Sequence, residues 1–183
     1  MIEVVVDSIR VSLVNYQRVV ILKEKNADRY LPIWIGQSEA DAIAIRLQNI
    51  SVARPLTHDL IKSLLEHLGA KVKQVVVTDL ADDVFYARIV VEVNGRREEI
   101  DARPSDAIAL AVRTSSPIFV AESVLEKAGV LPEAEKAETE GEGNPGEKVS
   151  KTNEEELNKL AAFRDFINTL DLDNLGRGES DKS

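Results

Sequence analysis

Apolar positions along the chain follow two rhythms, and the switches between them lay out the elements. Alternating or continuous aliphatic runs at 2–7, 11–13, 18–22 and 30–35 predict strands, as do those at 73–80, 84–93 and 96–102. Elsewhere the spacing lengthens to three and four. Residues 38–49 predict a helix with Ala40, Ile43, Ala44 and Leu47 on one face. Residues 57–68 predict a second, with Leu60, Ile61, Leu64, Leu65 and Leu68 turned inward. Gly69 stands where a helix closes on a left-handed residue. Asn94-Gly95 reads as a two-residue hairpin turn, because both residue types accept positive φ. A third helix starts near Pro104, a short strand fits 118–120, and a fourth helix follows around 122–127. The order predicts an α+β fold with a mixed, largely antiparallel sheet and packed helices.

Two further patterns refine this picture. Asp41-Ala42-Ile43-Ala44 is echoed by Asp106-Ala107-Ile108-Ala109, each just after a strand, which fits either an internal duplication or two similar solutions to strand-to-helix packing. Residues 107–112 are apolar all round, so that helix must be covered on every side, in the core or at a subunit interface.

Composition divides the chain at about residue 132. Residues 1–132 carry 16 Lys and Arg against 18 Asp and Glu, whereas 133–183 carry 7 against 14, so most of the net charge of −9 belongs to the tail. Residues 133–151 hold one large aliphatic residue, Val149, and predict a disordered acidic linker. In 152–183, Leu157, Leu160, Phe163, Ile167 and Leu170 predict an amphipathic helix, a docking element for the body, another subunit or a protein partner. The chain has no cysteine, which excludes disulfides, thiolate metal sites and cysteine nucleophiles, and which fits a cytoplasmic protein. No apolar run is long enough to span a bilayer. The near-neutral body lacks the strongly basic surface of a non-specific nucleic-acid binder.

Polar residues cluster at three helix starts: Gly36 to Asp41, Arg54 to Asp59, and Asp101 to Asp106. Ser38, Thr57 and Ser105 suit capping or the first turn, and the carboxylates suit the positive end of a helix dipole. A chemical role is the competing reading. Asp59, Asp101 and Asp106 could hold magnesium or manganese, hard cations that need only one or two protein carboxylates beside water and phosphate. His58 and Glu39 could move protons, and Arg54 and Arg103, with Thr57 and Ser105, could hold phosphate. Lone His67 reads as structural.

These stretches resemble the bifunctional nuclease domain family, formerly a domain of unknown function. The resemblance rests on Leu31-Pro32-Ile33-Trp34-Ile35-Gly36 with Glu39-Ala40, on Arg54-Pro55-Leu56-Thr57-His58-Asp59-Leu60, on Asp101-Ala102-Arg103-Pro104-Ser105-Asp106 and the helix after it, and on Pro117-Ile118-Phe119-Val120. It spans about residues 1–130 and implies a compact, oligomerising α+β domain that cleaves DNA and RNA. It brings no settled mechanism. The expected function is metal-assisted phosphodiester hydrolysis with low sequence preference, in which His58, Glu39, Asp59 and Asp106 are catalytic. The alternative is a non-catalytic oligomeric module binding a small anion or a protein.

Overall fold

The computed structural model describes residues 1–12 and 16–131; the linker and helix expected over 133–183 lie outside the described residues. The order is β1 (Ile2–Val11), β2 (Arg18–Glu24), β3 (Tyr30–Ile35), α1 (Gln37–Leu47), α2 (Thr57–His67), β4 (Ala70–Ala81), β5 (Val84–Val93), β6 (Arg96–Ala102), α3 (Pro104–Thr114), β7 (Ile118–Val120) and α4 (Glu122–Ala128). The segment expected at 2–7 continues as β1 to Val11, where the strand expected at 11–13 would begin; Ser12 is not in the strand, and Leu13 lies outside the described residues. The pairing of β1 with β2 shifts register between Val6 and Ser8. A bulge of this kind absorbs the break in apolar alternation without ending the strand.

Among the described residues the strands form one sheet in the order β3-β2-β1-β7-β4-β5-β6. Two antiparallel meanders, β1-β2-β3 and β4-β5-β6, each run directly into a helix, α1 or α3. β7 stitches them together, antiparallel to β1 and parallel to β4. The two strand-strand-strand-helix units are what the repeated Asp-Ala-Ile-Ala stretch foreshadows. Both turns of the second meander are built alike. Asn94 and Gly95 lie at φ 51° and 75°, and Asp82 and Asp83 at 49° and 60°, a pair the sequence reading missed. Aspartate tolerates this left-handed region because its short side chain bonds locally.

α3 packs against α1, α2, β4 and β5. Ala107, Ile108, Ala109, Leu110 and Ala111 are all buried, as the apolar run requires. Its alanines, with Ala40 and Ala42 of α1, give little bulk between the helices, so their backbones can come close. Ile43, Val75, Val77, Val120 and Leu125 complete the core. The outer strand β6 carries Arg96, Arg97, Glu98 and Glu99, all exposed, a charged edge that discourages strand addition.

α2 departs from expectation. Leu60, Ile61, Leu64 and Leu68 do not face inward; all are exposed, Leu60 and Leu68 by nearly two thirds (63% and 65%). The helix leans on α3 and β4 by a narrow side on which His58 is its buried residue and Leu65 is half-buried. Periodicity fixed the stripe correctly but not which side the neighbouring elements would occupy. Gly69 does close the helix at φ 71°.

Candidate active site

Three carboxylates occupy equivalent places. Glu39, Asp59 and Asp106 are each the third residue of α1, α2 and α3. A carboxylate there normally turns back to accept the N–H of the residue before the helix. Asp59 does so, its Oδ2 accepting the Leu56 N–H at 2.9 Å. Glu39 and Asp106 instead both accept from the Arg103 side chain. Arg103, the residue before α3, donates from Nε to Asp106 Oδ2 at 2.7 Å and from Nη2 to Glu39 Oε1 at 2.7 Å. His58 Nε2 lies 3.1 Å from the other Asp106 oxygen. The chain Glu39–Arg103–Asp106–His58 therefore joins the starts of all three helices, the convergence that the chemical reading needs.

Local backbone makes this possible. A Cβ at Gly36 would run into the Glu39 carboxylate, so the glycine leaves room for the Glu39 side chain to lie where it meets Arg103. Pro104 is the first residue of α3, where its missing N–H is no loss. None of α1, α2 or α3 has a side-chain hydrogen bond from its capping residue; Ser38, Thr57 and Ser105 lie in first turns but do not cap.

His58 is buried behind Asp106, and its Nδ1 has no partner among the described residues. An ionised carboxylate opposite Nε2 calls for a proton on Nε2, which leaves Nδ1 as a bare acceptor. Asp106 is half-buried and Arg103 largely exposed, so these two present the cluster to solvent. Burial would raise the Asp106 carboxyl, but the Arg103 guanidinium and then His58 outweigh it and hold it below the ordinary range. The same carboxylates keep Arg103 firmly protonated, Asp106 more than Glu39.

A second pair lies alongside. Arg113 Nε donates to Asp59 Oδ1 at 2.7 Å, and its Nη1 to the Ala109 carbonyl at 2.9 Å. Its side chain is only 2% exposed. Burial would raise Asp59, yet the Leu56 N–H and then Arg113 bring it below the usual value. Sequence reasoning missed Arg113. The available signal was a lone arginine closing an apolar helix, two turns after Asp106 and hence near the same face.

Other expected members stand apart. Asp101 lies on exposed β6 opposite Arg88 in register. Arg54 is exposed and has no ion pair among the described residues. Among the described residues Thr57 and Ser105 make no side-chain hydrogen bond to the cluster; Ser105 is buried. Among the described residues no three His, Cys, Asp or Glu side chains gather as a metal shell. Asp59, Asp101 and Asp106 thus do not fit a resident three-carboxylate centre: two are engaged by arginines and the third is elsewhere. His67 bonds the Ser63 carbonyl through Nδ1 at 2.8 Å, a structural role.

With this geometry described, comparison with known proteins is informative. The model of the bifunctional nuclease domain matches residues 20–133. The chain belongs to the bifunctional nuclease domain family. All four residues of the Glu39–Arg103–Asp106–His58 chain fall within the matched span. An uncharacterized protein of Mycobacterium tuberculosis strain H37Rv is 43% identical over 170 residues, covering 93% of this chain and 97% of its own length. Bifunctional nuclease 1 of Oryza sativa subsp. japonica is 32% identical over 57% of this chain and 33% of its own length. Bifunctional nuclease 1 of Arabidopsis thaliana is 30% identical over 56% and 32%. This bifunctional nuclease domain thus matches about a third of each of these plant relatives. Among its described residues no helix is long and apolar enough to cross a membrane.

The two depressed carboxyls set a pH dependence. Each contributes stability that is whole above its ordinary value of 3.8 and is lost as pH falls through its lower folded value. Urea midpoints measured from pH 7 downward are expected to hold to about pH 5 and then fall steeply. Asp59→Asn should start lower and fall less; parallel curves would show that its ion pair adds nothing.

Proposed function

We propose that this domain is a phosphodiester hydrolase acting on DNA and RNA with little sequence preference, and that the Arg103–Asp106 pair is its reacting surface. One observation carries the reading: two third-position carboxylates, from different helices, share one exposed guanidinium, with a buried histidine behind. Support comes from the family and from what the plant relatives' names say of those proteins.

Arg103 meets a non-bridging phosphate pair with its planar fork. As it turns to the phosphate, Asp106 Oδ2 is released to accept a hydrogen bond from the attacking water and to take its proton as the new P–O bond forms, while the P–O bond to the leaving sugar oxygen breaks and that oxygen takes a proton from solvent. His58, donating to the other Asp106 oxygen, holds that carboxylate in place; it is a positioning residue. Glu39 sets the second edge of Arg103. Counting histidine as neutral, this cluster bears one net negative charge. A magnesium or manganese ion would arrive on the phosphate itself, with water completing its shell, and would supply charge neutralisation there. The test is cleavage of end-labelled single-stranded RNA and DNA by purified protein, with either metal and with chelator. No cleavage under any condition would overturn the reading.

We also infer that the exposed stripe Leu60, Ile61, Leu64 and Leu68 is where copies of this chain associate, since an apolar helix face of this kind is seldom left to water. Leu64→Glu, at a side chain already 56% exposed, is expected to yield monomer in sedimentation with an unchanged melting profile. A monomeric wild type at high concentration would sink the idea. A cytoplasmic location belongs to the same proposal.

A further inference from the structure

The Arg103–Asp106 cluster is net negative, and residues 1–132 together carry two more acidic than basic side chains. A polyanion needs its holding charge elsewhere. One depression of about 380 Å³ gathers it, where the ends of α1 and α3 meet α2 and the start of β4. Arg46, Lys62, Lys71 and Arg113 line it against one carboxylate, Glu66. Asp59 offsets Arg113, and Glu66, 3.8 Å away, offsets Lys62. Arg46 donates only to the Val112 carbonyl, at 3.3 Å, and Lys71 has no ion pair among the described residues. Two positive charges are therefore left for a ligand. Ser115, which also lines the depression, ends α3 at φ 55°, where glycine would sit without strain. The serine instead brings a hydroxyl-bearing side chain to the lining of the depression.

We propose that this depression is a backbone subsite, holding phosphates of a single strand whose scissile bond lies at Arg103–Asp106. The inference rests on the hydrolase reading for the second half of that statement. Arg113 ties the two places together, since it lines the depression and bonds Asp59, the residue next to His58. Phosphate contacts of this kind position a strand without reading its bases, which suits low sequence preference. They also resolve the mismatch between a near-neutral body and a polyanionic substrate, because the favourable charge is concentrated in one concavity rather than spread over the surface.

Binding and cleavage are measured separately. Fluorescence anisotropy with labelled RNA and DNA oligonucleotides, in chelator and over a range of salt, compares wild type with an Arg46→Ala, Lys71→Ala double variant. An Arg96→Ala, Arg97→Ala double variant removes the same charge from exposed β6. The first pair is expected to weaken binding about tenfold and to flatten the slope of log affinity against log salt by about 1.4, the value for two phosphate contacts on a single strand. The β6 pair should change affinity by less than about twofold. Equal affinity in wild type and the Arg46, Lys71 variant, or equal losses in both doubles, would overturn the subsite. So would inorganic phosphate binding that the Arg46, Lys71 variant abolishes while oligonucleotide binding persists, since the depression would then hold a small anion only. If binding falls as expected but no protein cleaves, the subsite stands and the hydrolase reading fails. If cleavage is present and binding is unchanged, the reverse holds.

Discussion

Asp106→Asn is expected to lower cleavage of both RNA and DNA by about 10²- to 10⁴-fold, the usual contribution of a positioned proton acceptor. The amide keeps the carboxylate's shape, and its oxygen can still accept from His58 Nε2, so the buried histidine is not abandoned. It cannot take a proton from water, and its NH₂ offers Arg103 nothing to bind. Because the Arg103 side chain is 66% exposed, it finds water instead, and the melting midpoint should fall only by the modest amount that the Asp106 carboxylate adds. That separation of activity from folding is the diagnostic. A folded Asp106→Asn protein that cleaves as fast as wild type would place the chemistry elsewhere or expose a contaminant. Glu39→Gln provides the contrast: it weakens only one edge of the Arg103 fork, so a smaller loss, mainly in KM, is expected.

The largest stability effect is expected from Asp59→Ala. The substitution strands a guanidinium whose side chain is only 2% exposed and also frees the Leu56 N–H. Removing one partner of a buried pair costs about 3–5 kcal/mol. Asp59 is itself 32% exposed, so water can reach the gap and the lower end of that range is expected. Urea unfolding measures it. Adding Arg113→Met should recover much of the loss, because an apolar side chain of similar length fills the space without a charge to hydrate. If Asp59→Ala alone costs no more than an ordinary surface change, Arg113 escapes to solvent and the pair is not structural. Asp59 and Asp106 thus receive different roles although both lie third in their helices. One closes a helix start and neutralises a buried cation; the other faces outward.

Much of this was legible in the residues, for reasons that also mark where reading stops. Strand and helix positions follow from local periodicity, and Asn94-Gly95 and Gly69 follow from backbone preferences, so all were readable from a few neighbours. The echo of Asp41-Ala42-Ile43-Ala44 at 106–109 pointed to the paired meanders. The candidate site was legible as a set of residue types, Glu39, His58, Arg103 and Asp106, but their convergence is a tertiary fact. Which candidates stand apart is a fact of that same kind. Asp101 is two residues from Arg103 in sequence, yet it sits on the exposed edge strand. Arg54 precedes His58 by four residues but does not join the cluster, while Arg113, 54 residues from Asp59, makes the buried pair. The leucines of α2 show the limit most clearly: a stripe gives a direction on one helix, and only the neighbours decide whether that direction is inward.

The three-residue strand β7 has a consequence for how the molecule comes into being. Each meander is stitched by hairpins between sequence neighbours, so each can zip up quickly on its own. The sheet becomes continuous only when Ile118, Phe119 and Val120 slide between them, pairing with Ile2 to Val4 on one side and Val75 to Val77 on the other. That union closes a loop of more than a hundred residues and awaits nearly the last stretch of the body to leave the ribosome. Until then β1 and β4 are both raw edges, open to any extended chain that meets them. A nascent or truncated product ending before residue 118 therefore has two sticky flanks, and chaperone dependence and aggregation should concentrate in that interval of synthesis.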